Sequence, residues 1–325
     1  SNNLWGTDGT DLSGDSEQPE TNDIDLEARA AAPDIGADEY NAAYGGSGGA
    51  SRYWVVGAGN WSDDDNHWAT ASGGAAADGN LPTSSSTVYF DGSSGGGTAT
   101  IDSDITVAGV YFDSAFTGTL TQGAGNYIVV NTSSWYQDGG TFTGGSDTID
   151  INGAFTVNAG TFTASSATLS VAGDFTLAAG VDFNKGTGTL LLDGDLTYTD
   201  STAGGTDVGA VVIGTSPDTT DLSTDFTASA LTVNFGDVFN TNGYDVDVGT
   251  GGITVYGTLD ATNGAGGNSR IQTAGHWYVA STGTFTADTS TITFDATSGT
   301  HTVTFGGTDA DHDLNDVIVN DAGGC

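Results

Sequence analysis

The sequence is short of cations, sulfur and proline. It has 4 Lys and Arg together, set against 42 Asp and Glu, for a formal net charge of −38. The cations are Lys185, Arg29, Arg52 and Arg270. So few cations exclude a nucleic-acid partner, because phosphate binding draws on Lys and Arg. They also exclude attraction to an anionic membrane surface, and no run of residues is apolar enough to insert into a bilayer. Methionine is absent and Cys325 is the single cysteine, so no disulfide within the chain supports the fold. With 4 Pro, neither collagen nor a proline-rich linker fits. Glutamate occurs only at Glu17, Glu20, Glu27 and Glu39. Met, Lys, Glu and Arg are good helix formers, so their scarcity argues against a helical protein.

In their place stand 52 Gly and many Thr, Ser, Asp and Asn, with Val, Ile, Phe and Tyr at the apolar positions. Those apolar residues and Thr favour strands, and the Gly, Asn-Gly and Asp-Gly sites punctuate them as turns. Hydrophobic residues make up 36% and aromatics 10%, too many for a disordered chain. The acidity keeps such a chain soluble. It also suits a setting in which salt or divalent cations screen the repulsion. With no leader segment and no initiator Met, the chain reads as a processed piece of a longer secreted precursor.

Composition divides the chain into four stretches. Residues 1–40 hold all the Glu and read as the tail of an upstream segment. Residues 41–52 read as a Gly/Ser linker, 53–92 as a Trp-rich cap and 93–325 as repeats. The repeat is clearest in the middle. Ile149-Asp-Ile-Asn-Gly-Ala-Phe-Thr-Val157 is followed by Leu169-Ser-Val-Ala-Gly-Asp-Phe-Thr-Leu177 and then by Leu190-Leu-Leu-Asp-Gly-Asp-Leu-Thr-Tyr198. Gly153, Gly173 and Gly194 fall in register, as do Phe155, Phe175 and Leu196. A second recurrence links Trp135-Tyr-Gln-Asp-Gly-Gly-Thr-Phe-Thr143 to Trp277-Tyr-Val-Ala-Ser-Thr-Gly-Thr-Phe-Thr286. A repeat of about 20 residues built from short strands and turns fits one coil of a right-handed parallel β-helix, an all-β solenoid. About eleven coils stacked at about 4.8 Å would fill the repeat region. Antiparallel sandwiches are the rival, but they lack in-register repeats. The expected inner stacks are Phe155, Phe175 and Leu196 in one column and Phe162 and Phe183 in another.

Three stretches carry a family resemblance. Asn2-Asn-Leu-Trp5 with Pro33-Asp-Ile-Gly-Ala-Asp-Glu-Tyr40 resembles the closing part of pectate-lyase-like β-helix domains in large bacterial exoproteins. Tyr53-Trp-Val-Val-Gly-Ala-Gly-Asn-Trp-Ser-Asp-Asp-Asp-Asn-His-Trp68, with Leu81-Pro82 and Val88-Tyr-Phe-Asp91, is similar to the opening of repetitive bacterial surface proteins. His312-Asp-Leu-Asn-Asp-Val-Ile-Val-Asn-Asp-Ala-Gly-Gly324 resembles a strand and turn that recur in the same proteins. The resemblance implies an extracellular place at a bacterial cell surface and an adhesive, matrix or coat role. It brings no catalytic residues and no cofactor.

Four groups of residues invite a site. Trp54, Trp61 and Trp68 would suit a sugar-stacking platform, although bulky aromatics also close the open end of a solenoid. His67 lies beside Asp63, Asp64 and Asp65, but the four His are too scattered for a zinc site and read as surface loop residues. Asp309, Asp311, Asp313 and Asp316 alternate as calcium ligands do, without the glycine and glutamate that a calcium loop requires. The pairs Asp102/Asp104, Asp193/Asp195 and Asp245/Asp247 would project from one strand face toward solvent. A polysaccharide-cleaving enzyme would need two facing carboxylates or a cation near the developing charge. Lys185 and Arg270 stand alone in acidic surroundings, so no enzyme is expected. The expected function is a structural subunit of an extracellular fibre or adhesin. Its partners are other copies joined head to tail, with residues 1–40 of one packing on the last coil of the next, or adjoining segments of one larger surface protein. A glycan-binding module is the alternative.

Overall fold

The computed structural model describes residues 50–214, 217–296, 301–307 and 312–320. The segment 1–40, with its proposed reach to a neighbour, lies outside the described residues, as do Asp309, Asp311 and Cys325. From Ser51 onward the chain forms one compact unit. It is a parallel β-solenoid of about 11 turns. Among the described residues the only α-helix is the four-residue Asp64–His67.

Each coil is a triangle of short strands. The first face begins with Ser51–Trp54, Thr87–Phe90 and Gly109–Phe112, and its eleven-strand path ends with Thr258–Asp260 and Thr284–Thr286. The second face starts with Gly59–Asn60, Thr98–Ile101 and Thr119–Gln122, continues through 141–143 and 161–163, and reaches Asp182–Asn184. It is interrupted at 201–209, where no strand forms, and resumes at 226–228. The third face carries Ile105–Val107, Ile128–Val130, Ile149–Ile151, Thr168–Val171, Thr189–Leu192 and Ala210–Ile213, and then runs on. On it Ile149, Leu169, Leu190, Val211 and Leu231 pair in succession, the repeat read from the sequence.

Strand side chains alternate in direction, so the residues facing inward stack coil upon coil. Phe155 pairs with Phe175, and their rings stack at 5.0 Å with 22° between planes. Phe162 stacks on Phe183 at 5.8 Å and 3°, the second expected column. The first column departs from expectation at its next member. Phe175 pairs with Tyr198, with rings 5.3 Å apart at 3°, whereas Leu196 pairs with Thr220. The shift is two residues. It therefore keeps the inward parity and leaves Leu196 buried.

The Trp-rich stretch 53–92 is continuous with the solenoid. Ser51, Arg52 and Tyr53 pair in parallel with Thr87, Val88 and Tyr89, so the first face already runs through residues assigned above to a linker. The Trp135 and Trp277 units do not occupy equivalent places either. Trp135 pairs with Val110 and Phe155 on the first face, while Trp277 pairs with Ile253 and Val303 on the third. What recurs is a corner. Trp135 meets Phe142 edge-on at 4.7 Å and Trp277 meets Phe285 edge-on at 5.0 Å, each across one bend of the coil.

Tight corners explain the glycines of the repeat. A Cβ on Gly153 would stand 1.8 Å from the carbonyl oxygen of Ser133, one coil away. Two buried glutamines also tie coils together. Gln122 donates to the Asn126 carbonyl at 2.7 Å and accepts from the Gly145 amide at 2.8 Å. Gln137 donates to the Thr161 carbonyl at 3.0 Å.

Phe175 is fully buried between Phe155 and Tyr198. Phe175→Ala is expected to lower unfolding free energy by about 3–5 kcal/mol, measured by denaturant titration followed by circular dichroism. A cost below about 1 kcal/mol would refute the stacked-core assignment.

Candidate functional site

The features with functional potential are the two ends of the solenoid and the chemistry of its outer faces. At the N-terminal end the chain turns back on itself. Trp68–Ala69 pairs antiparallel with Ser51–Trp54, the only antiparallel strand pair among the described residues apart from an isolated bridge. Trp54 and Trp68 meet edge-on at 5.2 Å, Trp61 and Trp68 at 4.6 Å, and both Trp54 and Trp68 contact Phe90 of the next coil. All three indoles are buried. Trp54 Nε1 donates to the Gly57 carbonyl and Trp68 Nε1 to the Trp61 carbonyl, so the polar edges of these two rings are satisfied within the end structure. Their faces are therefore closed to a sugar ring, and the arrangement is the closure of an apolar stack.

His67 belongs to the same closure and is not a surface loop residue. It is buried, lies parallel to Trp54 at 4.5 Å and 4°, and holds the Val55 carbonyl through Nδ1 at 3.1 Å. Gly59 gives it room, since a Cβ there would stand 1.9 Å from Nε2. Outside this cluster, Asp64 and Asp65 come together with Asp78, a residue that sequence spacing did not connect to them, with carboxylate oxygens within 4.8 Å of one another. Oxygen donors suit a hard cation, but three carboxylates make an incomplete shell, and Asp64 already accepts from the Gly79 amide at 3.0 Å.

At the C-terminal end the stack stays open among the described residues. Val317 and Val319 pair with the buried Ile292 and Phe294, so they continue inner columns, yet they are 44% and 55% exposed. Ile318 between them is 48% exposed. Of the proposed calcium ligands, Asp316 starts this last strand and Asp313 lines a shallow groove with Phe285, Asp288 and Leu314.

The alternating aspartates are not simply solubilising groups. Asp104, Asp174, Asp195, Asp225 and Asp245 each directly precede a strand. Each accepts, through Oδ1, a backbone N–H from the following coil: those of Tyr127, Thr197, Thr219, Asp245 and Arg270, at 2.8–3.1 Å. Asp102 does the same for the Ser62 amide at 3.0 Å in the coil before it. The repeat thus uses carboxylates as clamps between coils. Both described cations outside the first strand are ion-paired across a coil step, Lys185 with Asp207 and Arg270 with Asp245 at 3.3 Å.

On the outer side of the first face, Tyr53, Tyr89, Tyr111 and Tyr136 form one column, with successive rings stacked at 4.9, 5.4 and 5.7 Å. Because each ring covers its neighbour, the column presents edges and hydroxyls rather than open faces. Sequence reading missed this column because Tyr53 and Tyr89 are separated by the long closing excursion of the first coil.

Compared with known protein families, with curated proteins and with solved structures, the chain finds no match.

Among the described residues three carboxyls are held above their ordinary range. Burial is the main cause for each, assisted by Asp193 at Asp150 and by Asp295 at Asp247. Asp237 is buried, its Oδ2 has no hydrogen-bond partner, and Asp218 and Asp193 add to the effect of burial. A carboxyl with a raised native pKa takes up its proton first in the folded state. Stability therefore rises as pH falls from neutrality through that raised value, and the gain is complete below the unfolded pKa. Thermal unfolding at pH 7 and pH 5 should show a higher Tm at pH 5. Asp237→Asn should raise Tm at pH 7 and shrink the difference between the two; an unchanged difference would show that Asp237 contributes nothing to it.

Proposed function

We propose that the chain is a structural segment of an extracellular bacterial fibre or surface adhesin, a stiff solenoid that grows from its open end. The observation that carries this reading is the asymmetry of the ends. Among the described residues, one is sealed by buried aromatic rings and an antiparallel strand, while the last strand of the other exposes Val317, Ile318 and Val319. An uncovered strand with apolar inward positions is a template for a further strand. The next coil would come from a second copy or from adjoining parts of the same polypeptide. A copy-to-copy contact in which residues 1–40 of one chain cover the last described strand of the next is heterologous and does not close, so it extends into a filament.

The mechanical role has further support. Backbone ladders, aromatic columns and carboxylate clamps all act between neighbouring coils, so pulling along the axis loads many interactions at once. Scarcity of Lys and Arg leaves few sites for trypsin-like proteases, which fits a life outside the cell. The glycan-binding alternative draws no support from the buried indoles.

Sedimentation and negative-stain microscopy of the 325-residue chain test assembly. Concentration-dependent end-to-end particles are expected, and Ile318→Lys together with Val319→Lys should leave single solenoids. Deleting residues 1–40 tests the donor route: loss of filaments assigns the contact to residues 1–40 covering the exposed strand, and filaments that persist unchanged overturn that route. A wild-type chain that stays monomeric at all concentrations would sink self-assembly and leave only the continuous-polypeptide form of the proposal.

A further inference from the structure

The outer side of the second face carries a grid of threonines. Thr98, Thr119, Thr141 and Thr161 pair in succession and form one column; Thr100, Thr121, Thr143 and Thr163 form the next. Between the columns the intervening residues Ala99, Leu120, Phe142 and Phe162 point inward and are buried. Strand geometry sets the spacing of such a grid: about 4.8 Å from coil to coil and about 6.6 Å from column to column. The first repeat lies close to the shorter oxygen repeat of hexagonal ice, and the second falls somewhat short of the longer one.

Three further observations single out this patch. First, it is regular. No register shift falls within these eight positions, and beneath them Phe142 stacks on Phe162 at 4.9 Å and Phe162 on Phe183 at 5.8 Å. Second, it is uncharged on a chain of net charge −38: the segments 98–101, 119–122, 141–143 and 161–163 carry no acidic or basic residue until the columns end at Asp182 and Asn184. Third, its hydroxyls are free. Among the described residues, only Thr161 of the eight has a hydroxyl bonded to a protein group, Asp182 at 3.5 Å. Threonines in the corners behave differently, as Thr202, Thr241 and Thr262 all bond to neighbouring side chains. Because Thr is branched at Cβ, its χ1 is stiff, and the grid holds its hydroxyls and methyls in fixed ranks.

We propose that this face adsorbs to ice. An uncharged, two-dimensional array of hydroxyls and methyls in regular ranks orders the first water layer in positions that a growing crystal face can continue. The surface suits other occupants less well. Ions would need the charge that it lacks, and a polysaccharide would be met by open aromatic faces, none of which project here. The inference does not depend on the fibre reading, since a single solenoid presents the whole grid.

The test uses the full 325-residue chain in ice-crystal shaping and ice-recrystallisation assays, with adsorption of fluorescently labelled protein to a single-crystal ice hemisphere. Faceted crystals, slowed recrystallisation and labelling of discrete ice planes are expected. Thr121→Lys and Thr143→Lys, made separately, should each abolish all three. Thr156→Lys, on the outer side of the first face, should leave them intact. Circular dichroism verifies the β-fold of each variant; if a lysine variant loses it, Thr121→Gln takes its place with the same expected loss. Wild-type protein that is folded yet neither shapes ice nor slows recrystallisation overturns the proposal, as does a folded Thr121 variant that matches Thr156→Lys.

Discussion

Everything in this molecule depends on the parallel backbone ladder between successive coils. Each coil is too thin to bury its own apolar residues, and it becomes stable only when another lies about one strand spacing above and below it. The ladder forces each residue to sit on its counterpart, so a side chain tolerated once must be tolerated in a column. Apolar columns gain from this, as the run Phe155, Phe175 and Tyr198 does. Charged columns lose, because like charges one strand spacing apart repel. Most of the described aspartates accordingly lie outside the strands. There Asp104, Asp174, Asp195, Asp225 and Asp245 meet an amide of the following coil, and negative charge becomes part of the stacking.

The same ladder has no natural end. Every coil presents an edge to the next, and a solenoid must either close that edge or use it. The N-terminal side spends a long excursion on closure, with a short helix, a reversed strand and an aromatic group built from Trp54, Trp61, Trp68 and His67. At the far side Val317 and Val319 continue inner columns without a layer over them among the described residues. Among the described residues that contrast is physical before it is functional: apolar side chains are buried at one end and exposed at the other.

Because the interior is specified only by inward parity, the outward positions are left to vary from face to face. Over the same early coils the first face bears a column of stacked tyrosines and the second bears two columns of threonine. One scaffold thus carries distinct periodic surfaces, each repeating at the spacing of the backbone. Periodic surfaces of this kind suit periodic partners, whether another coil or a crystal lattice.

Local chemistry in the sequence was enough to determine the β class, the coil length near twenty residues, and the inward direction of Phe155, Phe162, Phe175 and Phe183. Alternation and glycine spacing encode these directly, since the period of two is a property of the strand itself. What only the tertiary structure decided is which residue stacks on which once a corner changes length. Tyr198, not Leu196, continues the column of Phe175 because the corner before it is two residues longer in effect. Trp135 and Trp277 share a sequence but lie on different faces. Asp78 reaches Asp64 and Asp65, and His67 goes inside against Trp54, through the path of the closing excursion. In each case the local pattern fixes whether a side chain points in or out, whereas its neighbour one coil away depends on the summed length of three strands and three corners.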